Sequence, residues 1–242
     1  MSKGAKERAA VRRIVADQKA REKRRAVTLW TSTSVIIVLV IAGLIGWAVL
    51  SGQETDNAEK LTTPPAAVDG GTAFAAGDGP VEIDIYEDFM CPVCRAFESA
   101  SGDALQQLVA RHKATVRYHP IAILDRASNG TRYSTRSAAA AAAAAEGGRF
   151  AEYHRALFAN QPTEGSDGLD DAKLIQLGES VGLTGTAFAD AITGKTYWAW
   201  ATTVTGEASA RGVTGTPTVM VNGSKLDEPT AAAVEQAVAA AG

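Results

Sequence analysis

Two cysteines, the only ones in the 242-residue chain, stand three positions apart in the segment Cys91-Pro92-Val93-Cys94. A disulfide that closes so short a loop would hardly constrain the unfolded chain, so a purely structural crosslink is disfavoured. Covalent attachment of a c-type haem needs a histidine directly after the second cysteine, where this chain has Arg95. A structural zinc ion needs four ligands. The chain's three histidines do not lie at ligand spacing: His112, His119 and His154. What remains is a reversible dithiol, which exchanges disulfides with other thiols.

The sequence around the cysteines predicts a strand that ends just before them and a helix that begins at them. Apolar and polar residues alternate over residues 81–86, which predicts a strand. Cys91 is therefore expected at a helix N-terminus, where free N–H groups and the helix dipole favour a thiolate. Pro92 suits the first helical turn because it has no N–H to lose. Cys91 is the candidate nucleophile, and Cys94, one turn later, is the candidate resolving thiol.

The rest of the domain predicts an α/β fold with a block of helices inserted between the second and third strands. A second strand is predicted over residues 114–121 and a third over residues 218–221, where Asn222-Gly223 then favours a hairpin turn. Residues 125–211 are mainly helical in pattern and contain a run of eight alanines, the residue with the best helix propensity. Pro229 stands near the start of a last predicted helix.

The formal net charge of −3 hides a strong asymmetry along the chain. Residues 1–26 hold ten basic and three acidic side chains, a net charge of +7, whereas the residues beyond 50 carry a net charge of −10. Residues 29–50 contain no charged side chain, and their 22 residues match the length of a membrane-spanning helix. Because Lys and Arg beside a span stay in the cytoplasm, residues 1–28 are predicted to be a cytoplasmic segment and residues 29–50 an anchor in the lipid bilayer.

This interpretation places everything after residue 50 outside the cytoplasm. Residues 51–75 are rich in Gly, Ala, Thr and Pro and predict a flexible linker with one short strand near its end. The folded domain is predicted over residues 76–242. A cleaved signal peptide is the alternative for the apolar segment. Against it, the region before the apolar segment is longer than in most signal peptides, and no suitable cleavage site follows the apolar segment. We interpret the basic segment as a topology signal rather than as a nucleic-acid-binding element.

Two segments resemble the active-site elements of DsbA-like proteins of the thioredoxin superfamily. They are Asp88-Phe89-Met90-Cys91-Pro92-Val93-Cys94 and Gly212-Val213-Thr214-Gly215-Thr216-Pro217-Thr218. The resemblance covers about residues 76–242, and the layout is similar to membrane-anchored members from Gram-positive bacteria and actinobacteria. It implies a thioredoxin-like fold, a cis Thr216–Pro217 bond, and a substrate-binding loop that these two residues form with Pro92 and Val93. It also implies that the disulfide is the redox group, without a cofactor or metal, and that a membrane partner of the DsbB or VKOR type reoxidises it.

Two positions depart from the pattern of this family. Many thioredoxin-like proteins carry a buried acid six residues before the first cysteine, and this chain has Ile85 there. We therefore assign no assisting acid, although Asp88 lies close to the predicted helix start. Val93 stands where oxidases of the family often have a polar residue or a histidine. With Val93 the thiolate depends more on the helix terminus, which predicts a milder oxidant.

The sequence thus predicts a membrane-anchored enzyme that donates its Cys91–Cys94 disulfide to the thiols of exported proteins. A disulfide reductase or isomerase with the same site is the first alternative, and a non-catalytic thioredoxin-like binding module is the second. His119 is expected to be a structural histidine. Three aromatic residues are expected to pack in the core rather than line a peptide groove: Tyr197, Trp198 and Trp200.

Overall fold

The structure, a computed structural model, describes residues 61–242. The predicted cytoplasmic segment, the predicted anchor and the first part of the predicted linker lie outside these residues. Within the described part of the chain, no helix is both long enough and apolar enough to cross a bilayer.

Five strands of the described residues form one mixed sheet in the order β1-β3-β2-β4-β5. They are β1 (Phe74–Ala76), β2 (Val81–Glu87), β3 (Ala114–Pro120), β4 (Thr218–Val221) and β5 (Ser224–Lys225). The central strand β2 runs parallel to β3 and antiparallel to β4, with Ile83 opposite both Val116 and Val221. The positions of β2, β3 and β4 agree with the predicted strands. The turn between β4 and β5 lies at Asn222-Gly223, as predicted, with positive φ at both residues.

Seven α-helices accompany this sheet within residues 61–242. They are α1 (Pro92–Ala110), α2 (Tyr133–Glu146), α3 (Phe150–Ala159), α4 (Asp171–Ser180), α5 (Thr186–Thr193), α6 (Trp198–Ala210) and α7 (Ala231–Ala241). Helices α2 to α6, which we call the helical block, lie between β3 and β4 in the chain. They confirm the predicted helical insertion in a thioredoxin-like fold.

Apolar side chains of the sheet belong to two separate cores. Along β2, Ile83 and Ile85 pack with α1 and α7, whereas Tyr86 packs with the helical block. Successive side chains of a strand point to opposite faces, so this division follows from the alternation seen in the sequence. Helix α1 contributes to both cores, because Phe97 belongs to the first and Cys91 and Cys94 belong to the second. The cysteines therefore lie where the sheet meets the helical block.

Residues 66–76 are part of the folded domain, so the predicted linker over residues 51–75 extends too far. Phe74 is 2% exposed and its ring packs against those of Phe150 and Trp200. The indole Nε1 of Trp200 donates to the Gly71 carbonyl oxygen at 2.6 Å. The segment is rich in small residues, which is typical of a linker. Its packing partners lie far along the chain, in α3 and α6, so the local sequence does not show that it is folded. Trp200 itself is buried in the core, as expected.

A cluster of charged side chains joins β2 to β3. Arg117 donates to both carboxylate oxygens of Asp84, at 2.6 and 2.7 Å, and His119 Nε2 lies 3.0 Å from the same carboxylate. Burial tends to raise the pKa of Asp84, but the hydrogen bonds with His119 and Arg117 outweigh it and lower the pKa to about 2. Asp69 at the edge of the cluster pairs with Arg211. His119 is fully buried and paired with Asp84, which agrees with its prediction as a structural histidine.

The end of β2 carries a buried ion pair that joins the sheet to the helical block. Glu87 Oε1 lies 2.5 Å from His154 Nε2 on α3, and both side chains are buried. The other ring nitrogen, Nδ1, lies 3.8 Å from a carboxylate oxygen of Glu98 on α1. Burial alone would lower the pKa of His154, but the charge of Glu87, their hydrogen bond and the charge of Glu98 raise it. The imidazole of His154 therefore links β2, α1 and α3.

Replacing Glu87 by Gln is expected to lower the free energy of unfolding by about 2–4 kcal/mol near pH 6, because His154 loses its main counter-charge in a buried site. The native pKa of His154 is raised above its unfolded value of 6.5. The contribution of the pair is thus complete below that value and declines as the pH rises through the native pKa. Urea unfolding at about pH 6 and about pH 9 should show a smaller difference from wild type at the higher pH.

Glu152→Gln is the matched control, because Glu152 pairs with Arg149 at 3.2 Å on an exposed face of α3. An exposed pair of this kind contributes less than about 1 kcal/mol. If both substitutions had the same effect on stability, the buried pair would not have the role assigned to it.

Candidate active site

Cys91 is the residue at which β2 and its following turn give way to helix α1. It is the N-cap of α1, with an extended backbone (φ −76°, ψ 116°), and Pro92 is the first helical residue. The N–H of Cys91 donates to Asp88 O at 2.9 Å, which closes the turn of residues 88–91, called the cysteine turn below. Its carbonyl accepts from the N–H of Arg95 at 3.2 Å. The predicted position of Cys91 at a helix N-terminus is confirmed.

The surroundings of the two free thiols move their pKa values in opposite directions. A hydrogen bond from the Cys94 thiol lowers the pKa of Cys91 most, although burial opposes it, and the Thr216 side chain and two N–H groups bring that pKa to about 5. These N–H groups belong to Cys94 and Val93, in the first turn of α1. Burial raises the pKa of Cys94, and its hydrogen bond to Cys91 raises it further. Near neutral pH the reduced pair therefore holds one thiolate, on Cys91, and one thiol.

The loop before β4 lies directly beside the cysteine turn. The Thr216–Pro217 peptide bond is cis, as the family resemblance implied. The Cys91 Sγ atom lies 3.5 Å from the Thr216 carbonyl oxygen, to which its thiol form can donate. This proximity follows from the sheet, because Thr218 at the start of β4 pairs with Tyr86 near the end of β2. The structure thus brings Thr216 and Pro217 together with the cysteines, as predicted from two distant segments of the sequence.

Pro92 and Val93 form the outer surface of the site. Both are exposed, and Val93 is 61% exposed, the highest value among the large apolar side chains described. Val93 supplies only its backbone N–H to Cys91, so the side chain at this position is free to contact another molecule. Cys91 is 6% exposed and Cys94 is 1% exposed, so an approaching sulfur atom reaches Cys91 first.

Asp88 is a buried acid beneath the cysteine turn, and the sequence analysis assigned it no role. One carboxylate oxygen accepts from the N–H of Met90 at 2.8 Å and from the Ser134 hydroxyl at 2.7 Å. The other oxygen accepts from the N–H of Leu124 at 2.9 Å. Burial raises the pKa of Asp88 to about 6, against these hydrogen bonds, and the negative charge of Cys91 contributes to the rise. The site therefore has an acid close to its thiolate, although Ile85 occupies the position that usually carries one.

Gln161 holds the cysteine turn from the opposite side. Its side-chain nitrogen donates to the carbonyl oxygens of Phe89 at 3.1 Å and Cys91 at 2.8 Å. Gln161 follows α3 in the chain, and the sequence gave no sign of these contacts. With Ser134 on α2 and Gln161 after α3, the helical block fixes the backbone that carries the nucleophile.

A groove of about 380 Å³ runs beside Val93 and Pro217, between α1 and the segment that leads into α7. Phe97 and Ser101 form part of its α1 wall, and residues 227–231 form the opposite wall. The Ser101 hydroxyl oxygen is buried and has no hydrogen-bond partner within residues 61–242. The groove therefore begins at Val93 and Pro217, two of the residues predicted to form the substrate-binding loop.

Thiolate absorbance in the reduced protein should titrate with a midpoint at about pH 5, which reports Cys91. Cys94→Ala removes the strongest hydrogen bond to that thiolate, so the pKa of Cys91 is expected to rise by about 1 unit or more. Val93→Ala is the control, because it keeps the N–H that contacts Cys91, and its titration should match wild type. An unchanged midpoint in Cys94→Ala would contradict the assigned hydrogen bond.

Ser101→Ala is expected to raise the free energy of unfolding by about 1 kcal/mol. The substitution removes a buried hydroxyl without a partner and introduces a better helix former in the middle of α1. Chemical denaturation of the two proteins at one pH gives the difference. A loss of stability instead would mean that Ser101 has a hydrogen bond in solution.

A family model for thioredoxin matches residues 70–240. Oxidised DsbA of Mycobacterium tuberculosis is 34% identical and superimposes with a TM-score of 0.61, covering 69% of this chain and 90% of that structure. Reduced DsbG, a disulfide bond oxidoreductase of the same organism, is 35% identical with a TM-score of 0.59, and the match covers 74% of this chain and 82% of the DsbG chain.

A curated relative of a different kind shares part of the same sequence. The serine/threonine-protein kinase PknE of Mycobacterium tuberculosis is 32% identical to this chain over 125 residues. The match covers 49% of this chain and 22% of the kinase, so the chain spans about a fifth of the length of that relative. The similarity to DsbA and DsbG, in contrast, extends over most of both structures.

Proposed function

The chain belongs to the thioredoxin family and has the fold of DsbA-type thiol–disulfide oxidoreductases, and we propose that it donates the Cys91–Cys94 disulfide to exported proteins. The observation that carries this proposal is the position of Cys91 at the start of α1, beside the cis Thr216–Pro217 bond, with its pKa lowered to about 5. A thiol that ionises so readily is a good leaving group, and its stable thiolate favours the reduced pair. Both properties favour giving the disulfide away.

The proposed reaction has two exchange steps. A substrate thiolate attacks Cys91 Sγ, the bond between the two cysteines breaks, and Cys94 leaves as a thiolate that takes up a proton. A second substrate thiolate then attacks the substrate sulfur of this mixed disulfide, and Cys91 leaves as a thiolate. The substrate has lost two electrons and the cysteine pair has gained them. No cofactor is needed beyond the redox-active disulfide.

Four residues around Cys91 are proposed to bind the substrate chain: Pro92, Val93, Thr216 and Pro217. Exposure of Val93 and the closeness of Thr216 O to Cys91 Sγ support this assignment. A chain that lies along this loop brings its sulfur to Cys91, because Cys94 is shielded behind it.

We place the domain outside the cytoplasm, held to the bilayer by residues 29–50. The charge asymmetry of the N-terminal part and the 22 uncharged residues support this location. Thiols of exported proteins are the natural substrates in an oxidising compartment, where disulfides form and persist. A membrane partner of the DsbB or VKOR type would reoxidise the cysteine pair, which the resemblance to DsbA-like proteins supports.

Val93 favours a second candidate function with the same site. Its side chain is apolar and adds no hydrogen bond to the Cys91 thiolate, which makes the disulfide more stable than a polar residue would. A sufficiently stable disulfide would make the protein a reductase or an isomerase. A binding module without redox chemistry is less consistent with the opposite pKa shifts of the two cysteines.

Disulfide trapping tests whether the site exchanges disulfides with exported proteins. In cells that express the full-length Cys94→Ala variant, mixed disulfides through Cys91 should accumulate, because the resolving thiol is missing. Cys91→Ala is the matched control and should trap nothing, since Cys94 is buried. Absence of mixed disulfides in both variants would rule out the exchange reaction and leave the binding module.

The reduction potential of the Cys91/Cys94 couple separates the two redox candidates. Equilibration of the protein with glutathione should give a value near or above about −180 mV for a disulfide donor. A value near about −270 mV would identify a reductant instead.

A further inference from the structure

We propose that the groove beside Cys91 selects substrate chains that carry a lysine or arginine close to the reacting cysteine. Asp227 and Glu228, at the end of the groove, are the residues that would make this selection. The inference rests on the proposed function, because it concerns the substrates of the same exchange reaction.

The charge of the groove is uncompensated. Its walls are mostly small and apolar side chains, and Asp227 and Glu228 are the only charged residues that line it. Both acids are exposed, and neither lies within ion-pairing distance of a basic side chain in the described part of the chain. A ligand that brings a positive charge to this place would therefore meet two negative charges with no internal competitor.

The depression on the other side of α1 is different. It is lined by two arginines, Arg95 and Arg155, and by two acids, Glu98 and Asp103. Charges of both signs are present there in equal number, so this side favours neither a basic nor an acidic substrate. Electrostatic selection is expected only on the side of α7.

The groove starts at two residues that are chain neighbours of the groups around the reacting sulfur atoms, since Pro217 follows Thr216, whose carbonyl oxygen lies 3.5 Å from Cys91 Sγ. It begins at Val93 and Pro217, which flank the cysteine turn and the cis bond, and it ends at residues 227–231. An extended substrate chain advances about 3.3–3.6 Å per residue. The basic side chain should therefore belong to a residue only a few positions from the substrate cysteine. Ser101, whose buried hydroxyl has no hydrogen-bond partner within residues 61–242, stands in the α1 wall of the same groove.

Asp227 and Glu228 also affect the stability of helix α7, and this effect has to be distinguished from selection of the substrate. They stand just before helix α7, whose N-cap Thr230 accepts from the N–H of Ala233 at 3.2 Å. Negative charges near a helix N-terminus stabilise the helix. A purely structural role of this kind would change the stability of the fold and would leave the choice of substrate unaffected.

The expected preference is modest because the acids are exposed. Exposed ion pairs change an equilibrium by a factor of about 1.5–5, and two acids acting on one lysine should give a preference of about three- to tenfold over a glutamate in the same position. Salt screens such interactions, so the preference should shrink as the ionic strength rises.

The test measures how fast the oxidised full-length protein oxidises two-cysteine peptides. Lysine, alanine or glutamate is placed in turn at each of the three positions before and after the first cysteine. At the position that reaches the groove, the lysine peptide should react about three- to tenfold faster than the glutamate peptide. A lysine also lowers the thiol pKa of the peptide itself. The ratio of the lysine rate to the glutamate rate is therefore compared between wild type and the variant Asp227→Asn/Glu228→Gln, with the same peptides.

In the double variant the ratio of the lysine rate to the glutamate rate should fall to the value set by the peptides alone. Asp227→Lys/Glu228→Lys should reverse the preference, which no change in helix stability would do. Glu235→Gln is the matched control, since Glu235 is an exposed acid on α7 that does not line the groove. It should keep the wild-type ratio.

An equal ratio in wild type and the double variant, or an equal loss in Glu235→Gln, would overturn the proposed selection. Failure of wild type to oxidise any of the peptides would overturn the proposed function instead. Circular dichroism of each variant checks that the fold is retained, and the single variant Glu228→Gln, with an intermediate ratio expected, replaces the double variant if that protein does not fold.

Discussion

The carboxylate of Asp88 has to satisfy its hydrogen bonds away from water, and the arrangement of the redox site follows from this requirement. A buried charge is costly unless it is well hydrogen-bonded. Its three donors come from the cysteine turn, from the loop after β3 and from the first turn of α2. These segments can meet only if the helical block packs over the end of β2. The insertion between β3 and β4 is therefore part of the redox site rather than an addition to its edge.

The first turn of helix α1 gives the two cysteines opposite environments. Cys91 lies at its open end, where N–H groups and the Cys94 thiol favour a negative charge. Cys94 lies inside the core formed with the helical block, where burial favours the protonated form. One short segment thus provides both a nucleophile and a protected partner thiol. The Val93 side chain adds no hydrogen bond to the thiolate, so the donors to Cys91 are the Cys94 thiol, the Thr216 side chain and the N–H groups of Val93 and Cys94.

Local patterns allowed the central part of the site to be predicted. Alternation over residues 81–86, the helix start at Cys91 and the paired motifs with Thr216–Pro217 are properties of short segments, and each prediction was confirmed. The contacts that hold the site together could not be predicted in this way. Asp88 and Ser134 are 46 positions apart, and Gln161 and Cys91 are 70 apart. A single hydrogen bond over such a separation leaves no period in the sequence. The same reason explains why residues 66–75 were assigned to the linker.

The packing of Phe74 and the hydrogen bond from Trp200 to Gly71 also limit the length of chain between the folded domain and the proposed anchor. Since residues 66–76 lie on the domain, at most residues 51–65 are left to connect it to the proposed anchor. Fifteen residues reach no further than about 50 Å even when fully extended. If the proposed anchor holds the chain to a bilayer, a tether of this length would limit how far the cysteine pair can move from it. Exported chains and the proposed reoxidising partner would then have to meet the cysteine pair within that limit.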